Sequence, residues 1–215
     1  SRRPVAIHAQ TAREDQVQAF HDLGIMPSFF PMHTFYWGDW HSDSVLGKER
    51  AQHISPTGWA RELGMIFTSH HDSPVALPDA MRVYYATVNR VSRTGRLIGP
   101  DQRVSALDGL KAQTLWAATQ YKEEHDKGSL EVGKLADFAV IDRDLMTCPA
   151  EYIKDTQVLL TVSGGEEVYR KDASVPTVMW NGLVQSFKNK LVVEPGKIWV
   201  PLNDIVNGIS AEKRT

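Results

Sequence analysis

Apolar and polar positions in the first part of the chain fall into a repeating order. Val5 to Gln10 is a short apolar run of strand length. Thr11, with Glu14 three positions on, has the form of a capping box opening a helix whose Val17, Phe20 and Leu23 share one face. Gly24 ends that helix, and Ile25 to Phe30 predicts a second strand. Ser55-Pro56 supplies an N-cap and a first-turn proline for a short helix through Trp59 and Leu63; Gly64 closes it, and Met65 to Ser69 predicts a third strand. Ala80, Val83, Tyr84, Thr87, Val88 and Val91 then recur at helical spacing. Three strand-helix units in succession predict an α/β fold with parallel strands, because a parallel pair needs a crossover and a helix is the usual one. A (β/α) barrel and an open sheet both fit.

The pattern breaks twice. Between Pro31 and Ile54 lies a long connection carrying Phe35, Tyr36, Trp37, Asp39, Trp40 and His41; structureless loops of that length are uncommon unless functional or disordered, and the aromatic content favours an ordered lid or a partner contact. Ser105 and Asp108 then form another capping box, for one helix burying Leu107, Leu110, Thr114, Leu115, Ala118 and Tyr121. After Gly128 the chain turns to short β-rich runs, Asp137 to Ile141, Val158 to Val162, Val168 to Arg170 and Val178 to Trp180, punctuated by Gly164-Gly165, Asn181-Gly182 and Pro195-Gly196. A polar tail follows Asn207.

Composition narrows the classes. The chain has 215 residues, 42% of them hydrophobic, enough for one large domain or two smaller ones. Its 26 acidic and 24 basic residues leave a formal charge of -2 with no dense Lys/Arg run, which argues against nucleic acid or an anionic membrane as partner. The single cysteine, Cys148, cannot form an intrachain disulfide, and no apolar run approaches the roughly 18 residues of a membrane span, so the expected location is the cytoplasm. Ser1-Arg2-Arg3-Pro4 leads straight into Val5-Ala6-Ile7, and the expectation is a chain that begins in the middle of a fold.

Eight histidines invite a metal reading, but there is no His-x-His, no His-Glu-x-x-His and no cysteine pair, so ligands would have to come from different strands. His8 ends the first strand, either as a ligand in a barrel mouth or as a hydrogen-bonded core histidine. In Ser69-His70-His71-Asp72-Ser73-Pro74 the period of two puts His70 and Asp72 on one face and His71 on the other. Asp72 is then placed for metal and water, or else caps a helix. His33, just after the second strand, lines the same mouth or faces solvent. Arg82, Arg90, Arg93, Arg96 and Lys111 read as a solvated helical face rather than an anion site.

Several stretches carry a family resemblance. Pro4-Val5-Ala6-Ile7-His8-Ala9-Gln10, Leu23-Gly24-Ile25 with Pro31 and His33, and His71-Asp72-Ser73-Pro74-Val75 resemble the sixth, seventh and eighth barrel strands of the amidohydrolase superfamily, in the branch called amidohydrolase family 3. Gly128-Ser129-Leu130-Glu131-Val132-Gly133-Lys134-Leu135-Ala136-Asp137-Phe138-Ala139-Val140-Ile141-Asp142 is similar to the return of such chains into their small β-sandwich. Gly164-Gly165-Glu166-Glu167-Val168-Tyr169 is similar to the hairpin that follows. The likeness runs to about Lys171. Ile7 stands where the family usually has an acidic residue, and Phe30 where it often has glutamine.

The resemblance implies the C-terminal three strand-helix units of a (β/α)8 TIM-type barrel over residues 1-127, and a β-rich, β-sandwich portion with a tail over 128-215. It implies His8 and Asp72 as ligands of a divalent metal, zinc by the family's habit, with Asp72 also taking a proton from the attacking water. His33 and His70 would meet a small-molecule amide substrate. The family's remaining ligands would lie before Ser1, and a zinc site wants three or four protein ligands, so the expected function is a fragment or subunit of a hydrolase for non-peptide carbon-nitrogen bonds, incomplete alone. A missing N-terminal half or a homo-oligomer would cover the open edge of the first strand. The alternative is a non-catalytic half-barrel assembly or binding module.

Overall fold

The computed structural model describes residues 2-171 and, as backbone, the four strands between Thr177 and Trp199. The turns expected at Asn181-Gly182 and Pro195-Gly196, and the tail after Asn207, lie outside the described residues. The chain forms two compact units, one of residues 1-122 with 149-154, the other of 123-148 with 155-215.

The first unit is built on three parallel strands, β1 (Val5–His8), β2 (Met26–Phe29) and β3 (Thr68–Ser69), in that spatial order. Val5 lies opposite Met26 and His8 opposite Phe29, so β1 and β2 end level. The third strand is shorter than its apolar run suggests, pairing only Ser28 with Thr68 and Phe29 with Ser69. Proline explains part of this. Met26 N donates to Pro4 O on the β1 side and Phe29 O accepts from His70 N on the β3 side, so alternation turns Pro27 toward β3, where it has no N–H to give.

Helices α1 (Glu14–Asp22), α4 (Thr57–Glu62), α6 (Ala106–Gln113) and α7 (Leu115–Tyr121) supply the apolar cover of this sheet. Val17, Phe29, Ala60, Phe67, Ala112 and Trp116 form one buried cluster, with Phe67 5.6 Å from Phe29 and 5.4 Å from Trp116. The cap of α1 falls two residues later than Thr11 and Glu14 suggest: Arg13 is the N-cap residue, and Gln16 Oε1 accepts from Arg13 N at 3.0 Å. The Ser105 cap is realised, its hydroxyl accepting from Asp108 N at 3.0 Å. The single helix expected beyond it is two, because at Thr114 the backbone leaves helical geometry and the hydroxyl instead donates to Leu110 O at 2.9 Å.

The long connection is helical. α2 (Met32–Trp40) runs into a π-helical turn at His41–Val45 and then α3 (Gly47–Ala51). Its aromatic residues have no amphipathic period, but Phe35, Tyr36 and Trp37 pack against a second buried cluster of Phe30, Met32, Ala76, Val83 and Ala86, which α5 (Ala80–Asn89) helps to build. Polar bonds fasten the far side of this excursion: Tyr36 Oη accepts from Arg82, Asp39 from Ser92 and Thr94, and Asp43 from Arg96 at 2.9 Å.

One arginine overturns the solvated-face expectation. Arg90, at the left-handed C-cap of α5, is fully buried; its guanidinium donates to Ile98 O, Ser55 O and Ile54 O at 2.9, 3.0 and 2.6 Å. Burial, with some repulsion from Arg103, pulls its pKa down to about 9, so it stays charged at neutral pH.

The second unit is an antiparallel sheet ordered β6-β5-β4-β7-β8, comprising β4 (Phe138–Ile141), β5 (Val158–Ser163), β6 (Glu166–Arg170), β7 (Thr177–Trp180) and β8 (Leu183–Ser186), besides a separate hairpin of β9 (Val192–Glu194) and β10 (Lys197–Trp199). Val140, Leu159, Leu160 and Val162 form its buried cluster, and Gly164 sits with φ +59 in the β5-β6 turn.

Candidate metal and substrate site

The level ends of the parallel strands gather the chemically active side chains, as barrel strands do at their C-terminal ends. His8 is the last residue of β1 and Asp72 lies three residues beyond β3; both have positive φ, 64° and 54°, and Ala9 follows at 42°. Non-glycine residues in this region carry strain of the order of 1 kcal/mol or more, and such residues cluster where a site needs them.

His8 Nε2 and Asp72 Oδ2 stand 3.6 Å apart, each side chain about two-fifths exposed. Strand alternation does not bring Asp72 there, since the ladder ends at Ser69 and the turn after it does the aiming. His70 and His33 come to the same place. Their rings lie 5.1 and 5.8 Å from that of His8, and Phe30 joins them, stacked on His70 at 5.4 Å and edge-on to His33 at 4.4 Å. His71 turns to its own loop, where Nδ1 accepts from Ser73 N at 3.1 Å.

Burial favours the neutral form of His33 and His70. Burial first, then the neighbouring His41, His8 and His70, lower the His33 pKa to about 4, against a small opposing pull from Asp72. Burial likewise lowers His70, with His8 adding to it. Neutral imidazoles can ligate a cation or hydrogen-bond a substrate, which imidazolium cannot do as an acceptor.

Whether these groups suit a metal can be tested on the donor set. Two ligands on a tetrahedral ion, with bonds of about 2.0 Å, stand roughly 3.3 Å apart, so His8 Nε2 and Asp72 Oδ2 fit two corners of one site. Among the described residues no group of three or more His, Cys, Asp or Glu side chains is placed to hold an ion. His8 Nδ1, on the far side of the ring, is buried without a hydrogen-bond partner, as are His33 Nδ1, His41 Nδ1 and His70 Nε2.

Sequence reasoning missed His41, Gln10 and the part played by Phe30. The His41 ring is 5.9 Å from His33, and its Nε2 is 3.4 Å from Gln10 Nε2. The signal was the aromatic density between Phe30 and His41, which marked an ordered segment without showing its inward face.

Comparison with known proteins shows the family. A family model described as the amidohydrolase family, in its third branch, matches residues 1-169. An N-substituted formamide deformylase from Arthrobacter pascens is 28% identical over 169 residues, 78% of this chain and 31% of that protein. Among solved structures, an uncharacterized metal-dependent hydrolase from Pyrococcus furiosus is 26% identical, with a TM-score of 0.51 over 60% of this chain and 26% of the other. An adenosine deaminase from Xanthomonas campestris with bound zinc superposes with a TM-score of 0.57 over 98% of this chain and 42% of the other, at 13% identity, a likeness of fold alone. The fold is mixed α/β, with neighbours of the amidohydrolase barrel type. The chain spans less than a third of the length of the curated relatives it matches. Among the described residues no helix is long and apolar enough to cross a membrane.

Proposed function

Because this chain belongs to the amidohydrolase family, we propose that it is the C-terminal portion, or a subunit, of a metal-dependent hydrolase that cleaves non-peptide carbon-nitrogen bonds in small amides. The observation that carries the reading is the 3.6 Å approach of His8 Nε2 to Asp72 Oδ2 across the ends of the first and third strand units, with β2 between them. Residues 1-127 then act as strands six to eight of a (β/α)8 barrel with their helices, and 128-215 as the β-sandwich portion with its tail. The family resemblance and the metal-dependent neighbour support a divalent ion held by His8 and Asp72, and we take it to be zinc. When bound, such an ion supplies Lewis acidity and lowers the pKa of water beside it.

The residues of this chain do the rest. Asp72 accepts the proton of the attacking water on its carboxylate and later returns it to the leaving amine. His33 and His70, neutral because they are buried, hold the substrate by hydrogen bonds, and Phe30 packs between them and keeps water from their inner faces. Further ligands come from additional barrel strands. Among the described residues β1 pairs with β2 alone, so its other edge is open to a strand from the rest of a longer chain or from a second copy. A cytoplasmic setting suits a chain with one cysteine.

The test is metal analysis after exhaustive purification, together with turnover of N-formyl and N-acyl amides by this chain alone and by the full-length protein. We expect stoichiometric metal and turnover only when the further strands are present. Stoichiometric zinc and turnover by these 215 residues as a monomer would overturn the incomplete-site reading. Full-length protein that binds metal and cleaves no amide would overturn the hydrolase reading.

A further inference from the structure

One pair of side chains in the site has a geometry the hydrolytic reading does not use, and its interpretation rests on that reading. Gln10 stands two residues past His8, in a turn where Ala9 N donates to Ile7 O at 2.9 Å, and its carbonyl accepts from Ser55 N at 2.8 Å. Its backbone is therefore fixed next to a candidate ligand. Its side-chain Nε2 lies 3.4 Å from His41 Nε2. An amide nitrogen can only donate, so His41 Nε2 accepts and the ring proton is on Nδ1.

Two further observations mark His41 as more than packing. It is only 9% exposed, yet its Nδ1 is buried with no partner, a state that native proteins rarely leave unexplained. It also opens the π-helical turn, in which Leu46 N donates to His41 O at 2.8 Å, and π-turns are frequent at functional sites. The extra residue of that turn sets the direction in which the ring leaves the helix. The ring joins the cluster through His33, 5.9 Å away, which is itself 5.8 Å from His8.

With Nε2 engaged by His41, Oε1 is the acceptor that the Gln10 amide keeps for another group. An acceptor selects for an N–H. In an amide substrate that N–H is on the nitrogen of the bond to be cleaved. We propose that Gln10 is a specificity-determining residue whose Oε1 takes the N–H of unsubstituted or singly N-substituted amides, and that His41 is the positioning residue that fixes the Gln10 amide in that orientation. N,N-disubstituted amides have no such hydrogen and are poorer substrates.

The test compares N-methylformamide with N,N-dimethylformamide in the metal-loaded full-length protein. Gln10→Leu lowers the kcat/KM ratio of N-methylformamide to N,N-dimethylformamide by roughly tenfold, the scale of one lost hydrogen bond, with metal content unchanged. His41→Phe gives a smaller fall in the same ratio, mostly through KM, and His41→Gln, whose oxygen can again accept from Gln10, restores it. Equal losses on both amides, or none on either, overturn the proposal. A second arm needs no turnover: the side-chain ¹⁵N signals of Gln10 are followed while N-methylacetamide or N,N-dimethylacetamide is added. They shift with the first probe only, and that selectivity is lost in His41→Phe. Shifts with both probes, or with neither, overturn the pair even in a protein that cleaves no amide, whereas selective shifts without turnover count against the hydrolase reading alone.

Discussion

Replacing Arg90 with methionine removes a charge whose three hydrogen bonds end on carbonyls of separate segments, Ile98 O, Ser55 O and Ile54 O. The site is fully buried, so water cannot take over these bonds in an otherwise intact structure. Each abandoned carbonyl costs about 1-3 kcal/mol. Removing a buried guanidinium recovers part of its desolvation, and methionine refills most of the volume, so the net loss lies at the low end of that sum, about 3 kcal/mol. Ser55 adds to this, since its φ of 50° is held by bonds that include this one. Arg90→Lys does not rescue, because an ammonium cannot span three carbonyls as the planar fork does. Urea denaturation of both variants against the parent, followed by tryptophan fluorescence, measures the loss. A midpoint shift equivalent to less than about 1 kcal/mol for Arg90→Met would show that the carbonyls find other donors and that the arginine is not the clamp described here.

Three further outcomes are expected. Asp72→Asn in the full-length protein lowers amide turnover by roughly 100-fold or more with folding intact, as loss of a general base does; near-normal turnover beside an inactive His70→Ala would move the role to the histidine. In metal-free protein His33 binds its proton below about pH 4 when folded but near 6.5 when unfolded. The unfolded state therefore holds the extra proton between those values, and stability falls as pH drops through that window. His33→Gln should flatten the slope of a pH series of melting curves, and an unchanged slope would refute the assignment. Gly99→Ala destabilises strongly, because a Cβ there would lie 1.8 Å from Gln52 O at a φ of +65°; a melting temperature within a degree or two of the parent would show that the 52-54 segment gives way easily.

The strand-helix alternation was legible because each unit carries its own punctuation: Gly24 and Gly64 close helices, Ser105 caps one, and the apolar runs between them have strand length. His8, His33, His70 and Asp72 could be named from strand ends and family likeness, and the structure brings all four together. What stayed hidden depends on tertiary contacts. α2 was invisible as a helix because Phe35, Tyr36, Trp37 and Trp40 give no periodic face; its packing partners lie on α5, beyond residue 79. Arg90 looked like one of several helical charges, and nothing local announces that Ile54, Ser55 and Ile98 will close over it. The break at Thr114 and the late cap at Arg13 are choices between near-equal local hydrogen bonds.

The π-helical turn at His41–Val45 has an evolutionary consequence. It amounts to one residue more than an α-helix would contain, and removing it would let the segment relax into better hydrogen bonding while rotating everything on one side by about 100°. Heat resistance and the aim of His41 therefore pull in opposite directions. A library of this protein screened for survival at high temperature, with no demand for turnover, should collect single-residue deletions between His41 and Val45, whereas lineages under selection for activity should keep the count.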